Sequence, residues 1–323
     1  MTIEISDWND LNDVRNDLSA NYVLKNNLDS GTTGYNTHAS GSANGGNGWR
    51  PIGFSTSFTG SFDGQGNSIT GIVANRSGQD NVGLFGIVDE SSIKNVGVKN
   101  VDIIGFDYVG GLVGDKLGNN KDKLYNSYST GSVEGDNNVG GLVGSNSGKI
   151  SQTYSTVNVN GNGNVGGLVG RNDDDISQSY SRGNVNGGTE VGGFLGNNDS
   201  GGGIYNSYST GSVEGDNNVG GLVGLAGSKF SSTVNDSYWD MQTSGQGSGS
   251  SRGTGLTTDE MTGSDAPDNM TDFDFNNVWE TTASYPELLW KNFIPIYLYN
   301  GASWILLPEN KRKVFDGNNW VEI

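Results

Sequence analysis

Cysteine is absent from the 323-residue chain, and histidine occurs once, as His38. Disulfide bonds and cysteine-based zinc sites are therefore excluded. Any catalytic arrangement that depends on histidine would have to use His38, which lies in a Gly/Ser/Asn/Thr-rich segment, residues 29–48. That segment has no strand or helix pattern around it, so we predict no catalytic residues and no cofactor.

Basic residues and long apolar runs are also scarce. The chain has 18 Lys and Arg residues against 36 Asp and Glu residues, which gives a formal net charge of −18. Nucleic-acid binding needs clustered positive charge, so we expect none. No segment approaches the roughly 18 consecutive apolar residues of a membrane span, and the acidic start lacks the pattern of a secretory signal. We expect no membrane insertion, and the acidic surface indicates either simple solubility or a high-salt habitat.

Internal repeats are the most prominent feature of the sequence. Only 32% of the chain is hydrophobic and 54 residues are glycine, yet the 20 residues YNSYSTGSVEGDNNVGGLVG occur twice, at 125–144 and 205–224. Their core, VGGLVG, or the variants VGLFG and VGGFLG, begins at six positions that lie 26–30 residues apart: Val82, Val109, Val139, Val165, Val191 and Val219. Such a period predicts a stack of identical structural units with a thin, elongated core.

Each repeat also carries a single apolar residue, here called the second landmark, that lies 11 to 15 residues after the first residue of the VGGLVG core or its variant. These landmarks are Ile93, Leu124, Ile150, Ile176, Ile204 and Val234. The spacing predicts two short strands per repeat, with room for a third, separated by Gly/Asn/Asp-rich turns. We therefore predict an all-β fold, a parallel β-solenoid of ~26–30-residue coils. VGGLVG is interpreted as a strand covered on both faces, and the preceding asparagines are expected in left-handed corners: Asn81, Asn138, Asn164 and Asn218.

These repeats resemble the GLUG motif, named for its G-L-hydrophobic-G core, over about residues 50–240. The resemblance implies a β-helix in a surface or adhesin-like protein and implies no conserved chemistry. Residues 255–290 are similar to the segment that closes such arrays. Residues 296–307 and 312–323 each place an Asn-Gly or Asp-Gly turn between two strand patterns, which predicts two hairpins. This pair resembles modules near the C-termini of tail and fibre proteins of tailed viruses of bacteria and archaea.

The chain is thereby divided into four parts. Residues 1–30 are predicted to be an N-terminal cap made of a short amphipathic helix and a strand. Ser6 is expected to begin the helix, with Trp8, Leu11, Val14 and Leu18 along one face, and residues 22–24 are the strand candidate. Residues 31–240 form the solenoid, 241–292 a loop and closing segment, and 293–323 a tandem hairpin module for attachment or oligomerisation. In that module the candidate contact residues are Tyr299, Trp304, Phe315 and Trp320.

One aromatic residue recurs four positions after the second landmark in most repeats. The row comprises Tyr128, Tyr154, Tyr180, Tyr208 and Tyr238. Period-two alternation predicts that the tyrosines face outward, one above another, while Ser127, Ser129, Gly131 and Val133 face the interior. An exposed row could bind sugars or a protein partner. The alternatives are a ladder that only stabilises the stack and an inward-facing core row.

Carboxylates are too numerous for any to be singled out as catalytic. The candidates are Asp107, Glu134, Asp136, Asp173, Asp174, Asp175, Glu190, Glu214 and Asp216. Glu134 and Asp136 recur as Glu214 and Asp216, which indicates a scaffold because a catalytic centre is rarely copied along a rod. Calcium binding in the Asp/Asn turns stays an open alternative, but it is not predicted because the turns lack the spacing of known calcium loops. We expect the protein not to be an enzyme.

The sequence thus favours a structural and adhesive virion protein of a tailed virus, such as a tail fibre or receptor-binding component. Its expected partners are a host surface glycan or glycoprotein and other virion proteins, and we expect a homo-oligomer. It would be assembled in the host cytoplasm and exposed on the particle. The alternatives are a cellular surface adhesin, at the cell surface or outside the cell, and a glycan-degrading tailspike enzyme.

Overall fold

A computed structural model of the chain describes residues 2–118, 123–199, 202–226, 233–248 and 252–292, and four short strands beyond residue 296. The chain winds into a parallel β-solenoid, in which a full coil contributes a strand to each of four parallel sheets. The predicted fold is confirmed. The repeat differs in detail, because it contains four strand segments where two or three were predicted.

The four sheets are numbered in the order in which a coil passes through them, starting from the second apolar landmark. Sheet 1 consists of Thr2–Ile5, Asn21–Leu24, Ser61–Asp63, Ser92–Lys94, Lys123–Tyr125, Lys149–Ser151, Ile176–Ser177, Ile204–Tyr205 and Val234–Asn235. Sheet 2 consists of Ser68–Thr70, Val73–Asn75, Gly97–Ile104, Tyr128–Glu134, Tyr154–Asn160, Tyr180–Ser181, Val185–Asn186, Tyr208–Ser209, Val213–Glu214, Tyr238–Asp240 and Thr254–Leu256. Sheet 3 consists of Asp107–Gly110, Asn137–Gly140, Gly163–Gly166, Thr189–Gly192 and Asn217–Gly220. Sheet 4 consists of Phe85–Val88, Val113–Lys116, Val143–Asn146, Val169–Asn172, Leu195–Asn198 and Val223–Ala226.

The VGGLVG motif forms a corner between two sheets. In the copy at 139–144, Val139 and Gly140 end a strand of sheet 3, Gly141 lies in the bend, and Val143 begins a strand of sheet 4. The interpretation of this motif as one strand covered on both faces is therefore wrong. A Cβ atom on Gly141 would collide with the backbone carbonyl of Gly167 and with Ser155, so the bend requires glycine. Left-handed backbone is confirmed at Asn81, Asn138, Asn164 and Asn218, where φ is 60°, 54°, 50° and 51°.

The solenoid interior contains polar side chains as well as aliphatic ones. Ser127 and Ser129 are fully buried, and Val133 is 1% exposed, as predicted. The Ser129 hydroxyl donates a hydrogen bond of 2.6 Å to the carbonyl oxygen of Gly141, and Ser209 makes the same bond of 2.7 Å to Gly221. Each bond gives a buried backbone carbonyl group at a corner a hydrogen-bond donor, so these carbonyl groups are not left unsatisfied.

The N-terminal segment adds two strands to sheet 1 and a short helix between them. Helix Trp8–Asp13 is followed by a 3-10 turn, Val14–Asn16. The N-cap is Asp7, whose carboxylate accepts hydrogen bonds from two backbone amides, so the predicted cap at Ser6 is wrong by one residue. A carboxylate is as effective an N-cap as a hydroxyl group, and its negative charge also interacts favourably with the positive end of the helix dipole. Three members of the predicted apolar stripe, Trp8, Leu11 and Val14, are fully buried, whereas Leu18 lies beyond the helix and is half-buried.

Further short helices lie in the connecting segments. They are the helices Tyr35–His38, Met241–Ser244 and Ala266–Asn269, and the 3-10 turns Ala43–Gly46, Asp259–Met261, Gly263–Asp265 and Leu289–Asn292. Within the described ranges, no helix has the length and apolar character needed to cross a membrane.

Residues 257–292, here called the strap, follow the last parallel strand of sheet 2. The strap contains an antiparallel pair, Trp279–Glu280 with Glu287–Leu288, and lies against the outer face of sheet 2. Its buried side chains form a second apolar cluster with the tyrosine row, separate from the solenoid core. The closing segment predicted from the sequence therefore covers a flank of the solenoid.

Beyond the strap, the four described strands form two antiparallel hairpins. They are Tyr297–Tyr299 with Trp304–Leu306, and Lys313–Phe315 with Trp320–Glu322. The predicted hairpins are confirmed at the level of the backbone. The side chains of Tyr299, Trp304, Phe315 and Trp320 lie outside the described part of the chain, so their role in attachment stays a prediction.

Candidate functional site

The tyrosine row is built by the register of sheet 2. Tyr128, Tyr154, Tyr180, Tyr208 and Tyr238 occupy equivalent positions on consecutive paired strands. The ring centroids from Tyr128 to Tyr208 are 4.7, 4.9 and 5.1 Å apart, with interplanar angles of 6°, 4° and 9°. These separations match the ~4.8 Å spacing of neighbouring strands, so the rings stack face to face along the row. The rings point away from the main core, as predicted.

The predicted exposure of this row is wrong for four of its members. Tyr180 and Tyr208 are fully buried, Tyr154 is 5% exposed and Tyr238 is 6% exposed. The strap covers them: the Trp279 ring lies 5.7 Å from that of Tyr208, and the Trp290 ring lies 5.9 Å from that of Tyr154. The physical reason is that stacked rings present a continuous apolar surface, which another apolar segment buries favourably. While the strap is in place, these four rings are not available to a glycan.

Arg182 holds the strap against the row. Its guanidinium lies 4.6 Å above the Tyr180 ring, donates a hydrogen bond of 3.0 Å to the Tyr208 hydroxyl, and forms an ion pair of 3.1 Å with Glu287. Burial alone would lower the pKa of Arg182, but the neighbouring Tyr208, Tyr180 and Glu287 outweigh burial and raise that pKa. The arginine therefore stays charged at every physiological pH, and the contact acts as a permanent clamp.

The tyrosine hydroxyls are kept protonated by their surroundings. Burial is the largest cause of the raised pKa of Tyr180 and of Tyr208. Burial and a hydrogen bond of 2.6 Å to Asp240 raise the pKa of Tyr285, in the strap, to about 12. Neutral phenols serve here as hydrogen-bond donors, since the Tyr208 hydroxyl also donates to the carbonyl oxygen of Pro286. The arrangement is that of a packed interface and offers no acid or base near neutral pH.

A second feature of sheet 2 remains open to solvent. Beyond the strap, the outward side chains of five consecutive coils line a shallow concavity, here called the trough, with a volume of about 470 Å³. Its exposed side chains are Asp102, Ser132, Glu134, Asn158, Asn160, Asn184, Asn186 and Glu214, with Ser212 half-buried. The exposed side chains are therefore polar, with carboxylates at both ends and amides between them, and the aliphatic residues Ile103, Ile104, Val133, Val159 and Val185 complete the lining. Sequence reasoning missed it, although the strand alternation that located the tyrosines also places these residues outward.

The candidate carboxylates are dispersed over the solenoid. Glu134 and Glu214 line the trough but lie three coils apart, about 14 Å at the usual strand spacing, which exceeds the separation used by glycosidases. The others take part in local contacts: Asp107 with Asn137, Asp136 with Asn162, Asp173 with Arg171, Asp174 with the backbone of Asp175, Asp175 with Lys149, and Glu190 with Asn197. Asp216 is exposed at a turn. Across the residues with described positions, no group of three or more His, Asp or Glu side chains could hold a metal ion.

These features define a parallel β-solenoid built from one repeated unit, with a packed aromatic ladder on one flank and a polar trough beside it. Residues 161–186, which have the length of one coil, match the family model described as the GLUG motif.

Proteins similar to this chain are found among both sequences and solved structures. A stretch of 101 residues is 41% identical to Halomucin of Haloquadratum walsbyi; it represents 30% of this chain and 1% of that protein. The chain therefore spans a very small part of this curated relative. A crystal structure of a Bacteroides ovatus protein, named as a candidate immunoglobulin A1 protease, superimposes with a TM-score of 0.65 at 22% identity. That match covers 89% of this chain and 92% of the other, and it supports the fold alone.

The matches to the GLUG motif and to Halomucin support the surface-protein resemblance drawn from the repeats. They include no viral tail or fibre protein, so the resemblance of residues 293–323 to virus tail modules stays a prediction.

Proposed function

We propose that this chain is a non-enzymatic β-solenoid segment of a cell-surface or extracellular protein, with a structural and adhesive role. The observation that carries the proposal is the 101-residue match to Halomucin at 41% identity. The relative bears the name of a mucin, and mucins are extracellular proteins. The GLUG match at residues 161–186 supports the same setting.

The architecture suits such a role for physical reasons. Stacked coils give a rod whose stability is the sum of repeated contacts between neighbours, and whose flank presents the same side chains at each rung. Repeated side chains favour multivalent contact, in which several weak interactions act together. The net charge of −18 favours the solubility of such a rod.

Surface labelling tests the proposal directly. Antibodies raised against the full chain are expected to label intact cells of the source organism as strongly as permeabilised cells. Brief protease treatment of intact cells should remove the signal, while a cytoplasmic marker protein should resist the same treatment. Labelling that appears only after permeabilisation would overturn the assignment.

The virion assignment is the second candidate, and the two C-terminal hairpins favour it. In that case the same antibodies should label purified virus particles, and the gene should lie among tail and capsid genes. Deletion of residues 293–323 is then expected to abolish incorporation into particles or oligomerisation while the solenoid still folds. If the truncated chain assembles normally, the attachment role of the hairpins is wrong.

The absence of catalysis is part of the proposal and needs its own assay. Incubation with cell-surface polysaccharide should release no new reducing or unsaturated ends, and incubation with immunoglobulin A should leave the antibody intact. The second substrate is included because of the name given to the Bacteroides ovatus protein. Turnover of either substrate that scales with the concentration of the purified chain would contradict a purely structural and adhesive role.

A further inference from the structure

We propose that the trough on sheet 2 is a binding site for a linear, uncharged polysaccharide that lies parallel to the solenoid axis. This inference specifies the class of ligand that a protein with the proposed adhesive role would bind, and it therefore rests on the proposed function. The trough is distinct from the tyrosine row, which the strap covers. It is the concavity of about 470 Å³ that sheet 2 leaves open beside the strap.

The first argument is the geometry of the trough. Ser132 pairs with Asn158, and Glu134, Asn160, Asn186 and Glu214 follow one another in register across successive strands. Five coils contribute, so the trough is about 19 Å long at the ~4.8 Å spacing of neighbouring strands. This spacing is close to the length of one hexose unit in an extended chain. A linear polysaccharide can therefore present one sugar to each coil, and a compact ligand would use only part of the site.

The second argument is the state of the amide groups. The side-chain oxygen of Asn158 accepts a hydrogen bond of 3.1 Å from the backbone amide of Asn184. In the same way, the side-chain oxygen of Asn184 accepts a hydrogen bond of 3.1 Å from the backbone amide of Ser212. These bonds fix the orientation of both side chains. The Nδ2 groups of Asn158 and Asn184 donate to no residue among those described, so they are held in position for an external acceptor. Sugar hydroxyls are suitable partners because they both accept from amides and donate to carboxylates.

The third argument is the charge of the lining. Asp102 and Glu134 lie toward one end and Glu214 at the other, while none of the described lining residues is Lys or Arg. A uronate or a sulfated chain would meet these carboxylates without a compensating cation, and the net charge of −18 adds to the repulsion. The lining therefore selects against anionic polysaccharides and in favour of uncharged ones.

The strength expected of the site follows from its chemistry. None of the lining residues that the structure describes is aromatic, so a bound sugar gains hydrogen bonds without a stacking platform. Such a site binds one chain weakly, and useful adhesion would arise from several molecules acting on one polymer.

Affinity electrophoresis of the purified full chain tests the proposal. The gels contain neutral linear polysaccharides, namely hydroxyethylcellulose, a linear mannan and a linear β-glucan, or the anionic polymers polygalacturonate and dextran sulfate. We expect retardation by at least one neutral polymer and none by the anionic ones. Retardation only by anionic polymers, or by no polymer, overturns the proposal.

Two variants and a matched control locate the binding. Asn158→Trp fills the middle of the trough and should reduce the affinity for the neutral polymer at least tenfold. Asn235→Trp makes the same change at an exposed asparagine on sheet 1 and should leave the affinity within twofold. The double change Glu134→Gln and Glu214→Gln removes two negative charges from the lining and should permit measurable retardation by polygalacturonate.

Thermal unfolding of each variant, followed by circular dichroism, separates loss of binding from loss of fold. If Asn158→Trp binds as the unaltered chain does, the trough is not the site. These assays use purified protein, so an absence of polymer binding would not contradict the assignment to the cell surface. Likewise, an absence of antibody labelling on intact cells would not contradict the measured polymer binding.

Discussion

Nη1 of Arg182 and Oε1 of Glu287 lie 3.1 Å apart, although 105 residues separate them in the chain. The side chains are only 19% and 22% exposed, so this ion pair joins sheet 2 to the strap in a partly dehydrated environment. Arg182 also donates to the carbonyl oxygens of Tyr285 and Pro286, and Glu287 also pairs with Lys291 at 2.9 Å. The strap is therefore fixed to the solenoid by a polar centre within an apolar interface.

Removal of the arginine should loosen the strap. Arg182→Met leaves Glu287 and the Tyr285 and Pro286 carbonyls without this donor, and breaking a buried pair in this way costs about 3–5 kcal/mol. Urea unfolding followed by tryptophan fluorescence measures the loss, because Trp279 and Trp290 lie in the strap. The matched control is Arg171→Met, whose ion pairs with Asp173 and Asp199 are more exposed and should contribute about 1 kcal/mol or less. Equal losses in the two variants would contradict a clamping role for Arg182.

The same pair predicts how the strap responds to acid. Burial alone would raise the pKa of Glu287, but hydrogen bonding and the charges of Lys291 and Arg182 outweigh it and hold the pKa below its ordinary value of 4.5. A depressed carboxyl pKa contributes stability that is present above the unfolded value and is lost as the pH falls through the folded value. The free energy of unfolding should therefore decrease on acidification below about pH 4.5. Glu287→Gln should be less stable at pH 7 and should lose this part of the pH dependence; a parallel acid response in both proteins would exclude Glu287 as its source.

Tyr180 is expected to be a structural residue of the ladder. It is fully buried between Tyr154 and Tyr208, so Tyr180→Ala should destabilise the protein by about 3–5 kcal/mol, the usual range for a large buried aromatic. Tyr180→Phe keeps the stacked ring and loses only a contact of 3.4 Å with Lys291, so the loss should be under about 1 kcal/mol. Tyr205→Ala, at a half-buried position of sheet 1, is the control and should cost about 1 kcal/mol. Thermal and chemical unfolding measure all three, and a tolerated Tyr180→Ala would mean that the ladder does not stabilise the strap interface.

The periodic part of this fold could be predicted from the sequence, and the contacts between distant segments could not. The recurrence of tyrosine at one position in each repeat predicts that Tyr154 and Tyr180 stack, because parallel in-register strands place equivalent residues above one another. The strap breaks that period. Nothing in the local pattern pairs Trp279 with Tyr208, since this contact depends on where the chain turns after the last coil. A signal was available: residues 257–292 concentrate Met261, Met270, Phe273 and Trp279 in a chain that is poor in apolar residues, and such residues need an apolar surface.

The strand count of the repeat was missed for a related reason. VGGLVG contains enough apolar residues for one strand, but Gly141 allows the backbone to bend within it, so that Val139 and Val143 enter different sheets. Glycine permits both an extended strand and a sharp corner, so the sequence alone does not distinguish between them. The close contact of Gly141 with the next coil is visible only in the structure.

The corner glycine should therefore tolerate no side chain. In Gly141→Ala the added Cβ would overlap the Gly167 carbonyl and the Ser155 side chain of the next coil, both held by the stack. We expect a loss of at least about 2–3 kcal/mol, as for other overpacked interiors. Gly247→Ala places the same group where no atom of another described residue, apart from the chain neighbours, lies within 4 Å, and it should change the stability by less than about 0.5 kcal/mol. Indistinguishable melting temperatures would show that the coils can separate enough to admit a methyl group, which would contradict the tight corner.

Salt should stabilise this protein because like charges crowd its surface. With a net charge of −18, the folded rod holds carboxylates closer together than the unfolded chain does, and added salt screens their repulsion. The screening length falls from ~10 Å at 0.1 M to ~3 Å at 1 M, so most of the gain should occur at the lower end of that range. A melting temperature that rises steeply with NaCl and then levels off is the expected result. The triple variant Glu134→Gln, Glu214→Gln and Asp216→Asn removes three exposed charges and should reduce the early slope. A rise that continues in proportion to concentration, equal in both proteins, would instead indicate a general salting-out effect on apolar burial.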